Sequence, residues 1–213
     1  MTDPAKGAVF DRDCRACPRL ATFLDEVRAR YPDYYCRPVP PFGDDTARLL
    51  IVGLAPGMHG ANKTGRPFTG DHAGIMLYET LHKFGFSTHR ESASADEDLR
   101  LSNGRITNAV KCVPPANKPV GAEVNTCNAF LANELRSLAD GSVVLALGGI
   151  AHRAILRALE LRQADYKFGH EALHDLGSLK LLDSYHCSRY NTNTGRLTAA
   201  MFEAVFAKAR ELL

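Results

Sequence analysis

Three short, largely apolar runs constrain the fold of this chain more than any other feature of its sequence. They are Arg48–Val52, Ile106–Val110 and Val143–Leu147. Runs of this length and character are typical of strands that are buried on both faces, as in a parallel sheet. A fourth run, Leu179–Tyr185, is more mixed in character, and we expect it to form an edge strand.

Helical patterns separate these predicted strands. Apolar residues recur at helical spacing between Val124 and Leu138 and again between Leu197 and Leu212. The alternation predicts an α/β fold, namely a three-layer α/β/α sandwich around a mainly parallel four-stranded sheet. The 213 residues, 45% of them hydrophobic, suffice for one domain with a sizeable core, so we expect a single domain over residues 1–213.

Charge and hydropathy narrow the class of protein. The 26 Lys and Arg residues exceed the 24 Asp and Glu residues by only +2, which argues against charge-driven nucleic-acid binding of the histone type but allows a local basic groove. The longest uncharged apolar stretch, Gly141–Ala151, is shorter than the ~20 residues that a spanning helix needs, and the N-terminus lacks the apolar core of a signal peptide. We expect a cytoplasmic monomer that makes no contact with a membrane.

Ligands of parallel α/β folds bind at the carboxyl ends of the strands. The loops that follow the four predicted strands are Gly53–Gly74, Lys111–Pro119, Gly148–His152 and His186–Thr194. A further polar segment, Ser87–Leu99, is predicted to be an exposed connection.

The first of these loops is dense in glycine. It reads GLAPGMHGANKTGRPFTGDHAG and leads into a helix that is predicted to begin near Asp71 or His72. Glycines at this density let a backbone approach a ligand and offer it N–H groups. A phosphate-binding P-loop is the obvious comparison, but Asn62 stands where that motif needs its second glycine, and no acidic residue follows the third strand to hold magnesium.

Four cysteines fall into a pattern that is typical of a metal site. Cys14 and Cys17 form a C-x-x-C pair near the N-terminus, while Cys112 follows the second predicted strand and Cys127 lies in the next helical pattern. The set fits zinc or an iron-sulfur cluster, and the spacing alone does not choose between them. A redox dithiol is less favoured because the pair precedes every predicted strand. Of the other cysteines, Cys36 is expected to be buried in the core.

Taken together, the loops resemble the uracil-DNA glycosylase superfamily, and most closely its B-type, family-five branch. The first motif is GLAPG with TGRPFTGD, the second is ITNAVKCVPPANKP, and the third is HCSRYNTNTGRLT, where the family usually has H-P-S. The resemblance extends from Cys14 to about Thr198. It implies a DNA repair enzyme that flips uracil, and other deaminated bases such as hypoxanthine, out of DNA. The enzyme then hydrolyses the N-glycosidic bond and leaves an abasic site.

The resemblance also implies a cofactor. In this family a 4Fe-4S cluster is held by four cysteines, which correspond to Cys14, Cys17, Cys112 and Cys127 here. Such a cluster would tie the N-terminal segment, residues 10–45 or so, to the loop after the second strand.

Catalytic roles carry over to three residues. Asn108 corresponds to the asparagine that reads the uracil edge, and His186 corresponds to the histidine that, as a neutral imidazole, donates to O2 of the departing base. Asp71 corresponds to the aspartate that orients water and stabilises positive charge on the sugar, although this position equally suits a helix N-cap. Phe68 matches the aromatic residue that stacks on the flipped base.

The remaining positions would shape the pocket and contact DNA. Ala55 stands where other branches carry Asp or Asn, which is consistent with a roomier pocket, and His59 is a candidate for positioning water or phosphate. The backbone of Gly53, Leu54, Ala55 and Gly57 is expected to line the pocket. The fourth loop is expected to insert into the duplex through Ser188, Arg189, Tyr190, Asn191 and Arg196. A local basic face is expected from Lys63, Arg66, Lys111 and Lys118.

One departure from the family leaves an alternative open. Cys187 replaces the proline of the third motif, so the stiffness of that turn and the placement of His186 are in question. The alternative is a non-catalytic or redox-responsive iron-sulfur protein that binds DNA. The presence of Asp71, Asn108 and His186 together argues for the enzyme.

Overall fold

A six-stranded sheet forms the centre of the computed structural model, which describes residues 9–213. Its spatial order is β1-β3-β2-β4-β6-β5, and neighbours among β3, β2, β4 and β6 are parallel. The parallel core that the sequence predicts is therefore confirmed. The strands are β1 (Phe42–Gly43), β2 (Leu49–Gly53), β3 (Gly104–Asn108), β4 (Ser142–Leu147), β5 (Leu173–Asp175) and β6 (Leu179–Ser184).

Two details of the predicted sheet were wrong. The sheet has six strands in the described chain rather than four, because β1 and β5 add antiparallel pairs at its two edges. These strands have two and three residues, too few to show an alternating pattern in the sequence. As a result β6 is not an edge strand, since β5 covers its outer side.

Helices cover both faces of the sheet and give the expected three layers. Helices α3 and α7 pack on one face, and α4 and α5 pack on the other. The α-helices are α1 (Pro18–Arg30), α2 (Ala61–Thr64), α3 (His72–Lys83), α4 (Gly121–Arg136), α5 (Gly149–Ala158), α6 (Arg189–Asn193) and α7 (Ala199–Leu212). None of the helices within residues 9–213 combines the length and apolar character that crossing a bilayer requires.

Strand β2 shows why the apolar runs are continuous. Leu49 and Ile51 point into the core beneath α3 and α7, whereas Leu50 and Val52 point into the core beneath α4 and α5. All four side chains are fully buried. Because both faces of the strand are covered, neither set of alternating positions can be polar.

The N-terminal segment packs beside the loop that follows β3. Leu24 and Val27 of α1 form a small apolar cluster with Val113 from that loop. Cys36 is fully buried in the same cluster, as expected. The N-terminal segment, which carries Cys14 and Cys17, therefore meets the loop that carries Cys112.

Candidate active site

The carboxyl ends of the parallel strands surround a cavity of about 450 Å³. All four predicted loops contribute to its wall, as expected from the position of ligand sites in parallel α/β folds. Nine of the sequence-predicted site residues line it, namely Leu54, Ala55, Gly57, Phe68, Asp71, Asn108, His186, Ser188 and Arg189.

Phe68 and His186 form two walls of the cavity. Their ring centroids lie 6.0 Å apart, and the planes are inclined by 27°. Behind them, Gly53 packs so closely that a Cβ there would lie 2.6 Å from Cζ of Phe68 and 2.4 Å from Oδ1 of Asn108. Gly53 is thus a spacer that lets Phe68 and Asn108 approach each other, not a lining residue.

The backbone at Phe68 adopts an uncommon conformation. Its φ is +56°, in the left-handed region that costs energy for a residue with a side chain. The carbonyl of the preceding Pro67 accepts a 2.9 Å hydrogen bond from the hydroxyl of Tyr78. Gly74 is also required, because a Cβ there would lie 1.8 Å from the Phe68 carbonyl oxygen. The surrounding contacts hold the aromatic ring at the cavity.

Asn108 is the last residue of β3 and is nearly fully buried. Its Oδ1 atom has no hydrogen-bond partner among the described residues. An unpaired buried amide oxygen is costly, so its presence on a cavity wall indicates a place for a ligand donor.

His186 follows β6 and presents a neutral imidazole. Burial lowers its pKa to about 4, because the charged form would be poorly solvated there. Its Nδ1 atom is buried and has no partner within residues 9–213. At neutral pH the ring therefore offers a hydrogen bond without carrying a positive charge.

Asp71 is positioned for both roles that its place in the sequence suggests, the N-cap of α3 and a carboxylate at the cavity. As the N-cap of α3, its Oδ1 accepts a 2.8 Å hydrogen bond from the backbone N–H of Gly74. Its side chain also lines the cavity, and burial raises its pKa, against the hydrogen bonds that favour the carboxylate. Gly60 makes room for it, since a Cβ there would lie 2.5 Å from the Cβ of Asp71.

His59 is not among the residues that line the cavity, so its proposed part in positioning water or phosphate stays a prediction. His59 is exposed, and its Nδ1 lies 2.9 Å from the hydroxyl of Tyr34. Its ring also meets Tyr31 edge to face, with centroids 5.7 Å apart. Contacts with the N-terminal segment, which the loop sequence does not reveal, hold it there.

The turn after His186 is fixed by groups other than proline. The His186 carbonyl accepts a 2.8 Å hydrogen bond from Nδ2 of Asn191, and Ser188 caps α6. Cys187 is fully buried in the core, where burial and then the nearby carboxylate of Asp71 raise the pKa of its thiol. The replacement of proline therefore leaves His186 on the cavity wall.

Some lining residues have no candidate role in the sequence. Asn117 and Ile150 line the cavity although neither belongs to a recognised catalytic position. The loops that carry them follow predicted strands, and this position is the signal that could have found them.

The predicted basic face is wrong for two of its four residues. Arg66 is buried, and its guanidinium donates to the carbonyls of Ser94 and Ala95. Lys111 is 1% exposed, and its ammonium lies 2.6 Å from Oε1 of Glu134. Lys63 and Lys118 are exposed, as expected. Arg66 thus anchors the mostly exposed 87–99 connection, while Lys111 pairs with one oxygen of the largely buried Glu134 carboxylate.

Cys14, Cys17, Cys112 and Cys127 line one small pocket between α1, α4 and the loop after β3. All four are free thiols. Burial raises the pKa of Cys127 to about 11, whereas burial and repulsion from the other three thiolates raise that of Cys112. Four thiolates so close together require positive charge between them, so the donor set fits a metal centre.

Comparison with known proteins identifies a family for this fold and cavity. The model of the uracil DNA glycosylase superfamily matches residues 40–210. A type-5 uracil-DNA glycosylase from Thermus thermophilus is 48% identical over 205 residues, which cover 93% of each chain. A type-5 uracil-DNA glycosylase from Pyrobaculum aerophilum is 42% identical, over 92% of this chain and 88% of the relative.

A more distant relative is the type-4 uracil-DNA glycosylase from Archaeoglobus fulgidus, which is 34% identical over 70% of this chain and 61% of its own length. The chain belongs to the uracil-DNA glycosylase superfamily and, within it, to the type-5 family.

Proposed function

We propose that this protein removes uracil from DNA by hydrolysing the bond between the base and its sugar. One observation carries the proposal. The cavity that Phe68 and His186 border contains an unpaired buried amide oxygen on Asn108. A planar base with an N–H donor would stack against the Phe68 ring and satisfy that oxygen. The type-5 relatives, all named for uracil excision from DNA, support the same activity.

Uracil offers both a donor and acceptors to Asn108. Its N3–H would donate to Oδ1, while the Nδ2 amide would donate to a ring carbonyl. Phe68 would stack on the base after it leaves the duplex, which offsets part of the stacking energy lost on flipping.

His186 and Asp71 would have different roles when the bond between the base and the sugar breaks. The C1′–N1 bond breaks, and its electron pair leaves with the base as a uracil anion. The neutral imidazole of His186 would stabilise that anion by donating a hydrogen bond to O2. The carboxylate of Asp71 would stabilise the positive charge on the sugar and orient the water whose oxygen bonds to C1′, and the proton that this water loses would end on the uracil anion.

The proposal includes an iron-sulfur cluster on the four cysteines that line one small pocket, Cys14, Cys17, Cys112 and Cys127. When bound, it would supply a covalent tie between the N-terminal segment and the loop after β3. What supports it is that four thiol donors line one small pocket, a donor set that an iron-sulfur cluster requires.

Three finer features belong to the same proposal. The small side chain of Ala55 at the cavity supports acceptance of hypoxanthine and other deaminated bases besides uracil. The free cysteines of the described chain support a reducing, cytoplasmic location. We also propose that the protein acts as a monomer, which size-exclusion chromatography with light scattering would test.

The first experiment is excision from a labelled duplex with one uracil opposite guanine, followed by alkaline cleavage of abasic sites. We expect strand scission by the wild type and a fall of about 10² to 10⁴-fold in the single-turnover rate for Asp71→Ala and His186→Ala.

Matched controls are Asp140→Ala and His82→Ala, which remove exposed residues of the same types and should retain the full rate. Wild-type binding to the duplex without scission would instead support the non-catalytic iron-sulfur DNA-binding protein.

A further inference from the structure

Two arginines on the exposed side of α5 have no side-chain partner among the residues that the structure describes. Arg153 and Arg157 lie one helical turn apart, and both are exposed. Neither side chain makes a hydrogen bond, ion pair or ring contact with another residue of the 9–213 range. Like charges at this spacing destabilise a helix, so placing two arginines here does not help the protein to fold.

Both arginines line a groove of about 290 Å³ between α5 and the start of α4. Ile150 lines this groove and the catalytic cavity alike, so the two spaces share a wall. Among residues 9–213, no carboxylate lines the groove. Its other lining residues are Pro119, Gly121, Val124, Asn125, Ala154 and Gln163.

We propose that this groove binds backbone phosphates of the DNA strand next to the base in the cavity. The inference rests on the proposed function, and it adds the surface that contacts the DNA backbone, which the excision of uracil does not by itself identify. Charge complementarity carries it, since two unpaired guanidinium groups face a groove free of acidic residues. The arginines are about 6 Å apart along the helix axis, a spacing suited to two neighbouring phosphates of one strand. Phosphate contacts of this kind set register and orientation without reading sequence.

The test measures the salt dependence of binding to a fluorescein-labelled duplex that contains only ordinary bases. Each phosphate contact contributes about 0.9 to the slope of log K against log salt concentration. We therefore expect the double variant Arg153→Gln/Arg157→Gln to lower that slope by about 2 and to weaken binding by at least about tenfold at 0.1 M salt. The variant Arg153→Lys/Arg157→Lys, which keeps both charges, should retain most of the slope.

The matched control is Lys180→Gln/Lys208→Gln, which removes the same charge at a distance from the cavity. Lys180 lies near the amino end of β6, and the end of α7 that follows Lys208 contacts Arg48 before β2. A slope in the arginine variant equal to that of this control would overturn the proposal. If wild type excises uracil while the slopes stay equal, only the groove proposal fails. If wild type binds DNA but never excises uracil, the proposed function fails instead.

Discussion

Buried side chains at the cavity carry properties that their residue types alone do not fix. Asn108 and His186 were recognisable as candidates because each ends a strand inside a recognisable motif. Their states are set by the fold, which leaves Oδ1 of Asn108 without a partner in the described part of the chain and keeps His186 neutral. Arg66 and Lys111 show the opposite case, because partners distant in sequence remove two expected surface charges.

Residue-scale electrostatics predict how stability depends on pH. The pKa of His186 is about 4 in the folded protein, below the ordinary value of 6.5. The unfolded chain therefore binds the proton first, and acid favours unfolding between about pH 6.5 and pH 4. We expect the free energy of unfolding of wild type to fall across this window relative to His186→Gln, which cannot titrate.

Denaturant unfolding of both proteins at several pH values measures this difference. A difference that stays constant from pH 7 to pH 4 would contradict the lowered pKa of His186.

At the scale of elements, long buried strands were predictable and their short neighbours were not. The core strands β2 and β4 are apolar on both faces, so the sequence alone predicts them. Strand β5 is short, and its residues are exposed or half-buried, so its position depends on pairing with β6. The start of β3 shifts by two residues from the prediction because Gly104 and Arg105 also pair with β2.

A buried polar network joins α5, β5 and β6. Asp183 is fully buried, and its carboxylate oxygens lie 2.8 Å from Nδ1 of His152 and 3.3 Å from Nε2 of His174. The other ring nitrogen of His152 lies 3.0 Å from the carbonyl of Tyr166. The backbone N–H of Gly169 also donates to Oδ2 of Asp183, at 3.4 Å, so both oxygens of the buried carboxylate have partners.

We expect Asp183→Asn to lower the free energy of unfolding by about 1 to 3 kcal/mol, because an amide NH2 group in place of one carboxylate oxygen leaves a buried hydrogen bond unmade. Urea denaturation would measure the change. The control Asp140→Asn alters an exposed residue and should change stability by less than about 0.5 kcal/mol. Equal values for the two variants would show that the network contributes little.

At the scale of the whole molecule, the three layers were predictable because strand and helix patterns alternate along the chain. The shape of the site was harder to predict from the sequence, because it depends on contacts between loops that are far apart along the chain. His59, for example, lies in the glycine-rich loop but contacts Tyr34 of the N-terminal segment.

The four cysteines of the thiol pocket should make the stability of the protein depend on whether the proposed cluster is bound. We expect Cys17→Ser to abolish bound iron and visible cluster absorbance and to lower the melting temperature, because the N-terminal segment loses its tie. Iron analysis and thermal unfolding would measure both effects. Cys36→Ala is the control, since this buried cysteine lies outside the four-thiol pocket and its loss should leave iron content unchanged.

The left-handed backbone at Phe68 has a consequence for the energetics of binding. Because Tyr78 and Gly74 hold this backbone in place, the Phe68 ring already borders the cavity in the protein without DNA. A preorganised site loses little conformational entropy when a base enters. More of the interaction energy then remains to offset the unstacking of that base from the duplex. The entropy cost of ordering this part of the site is met when the protein folds, not when it binds DNA.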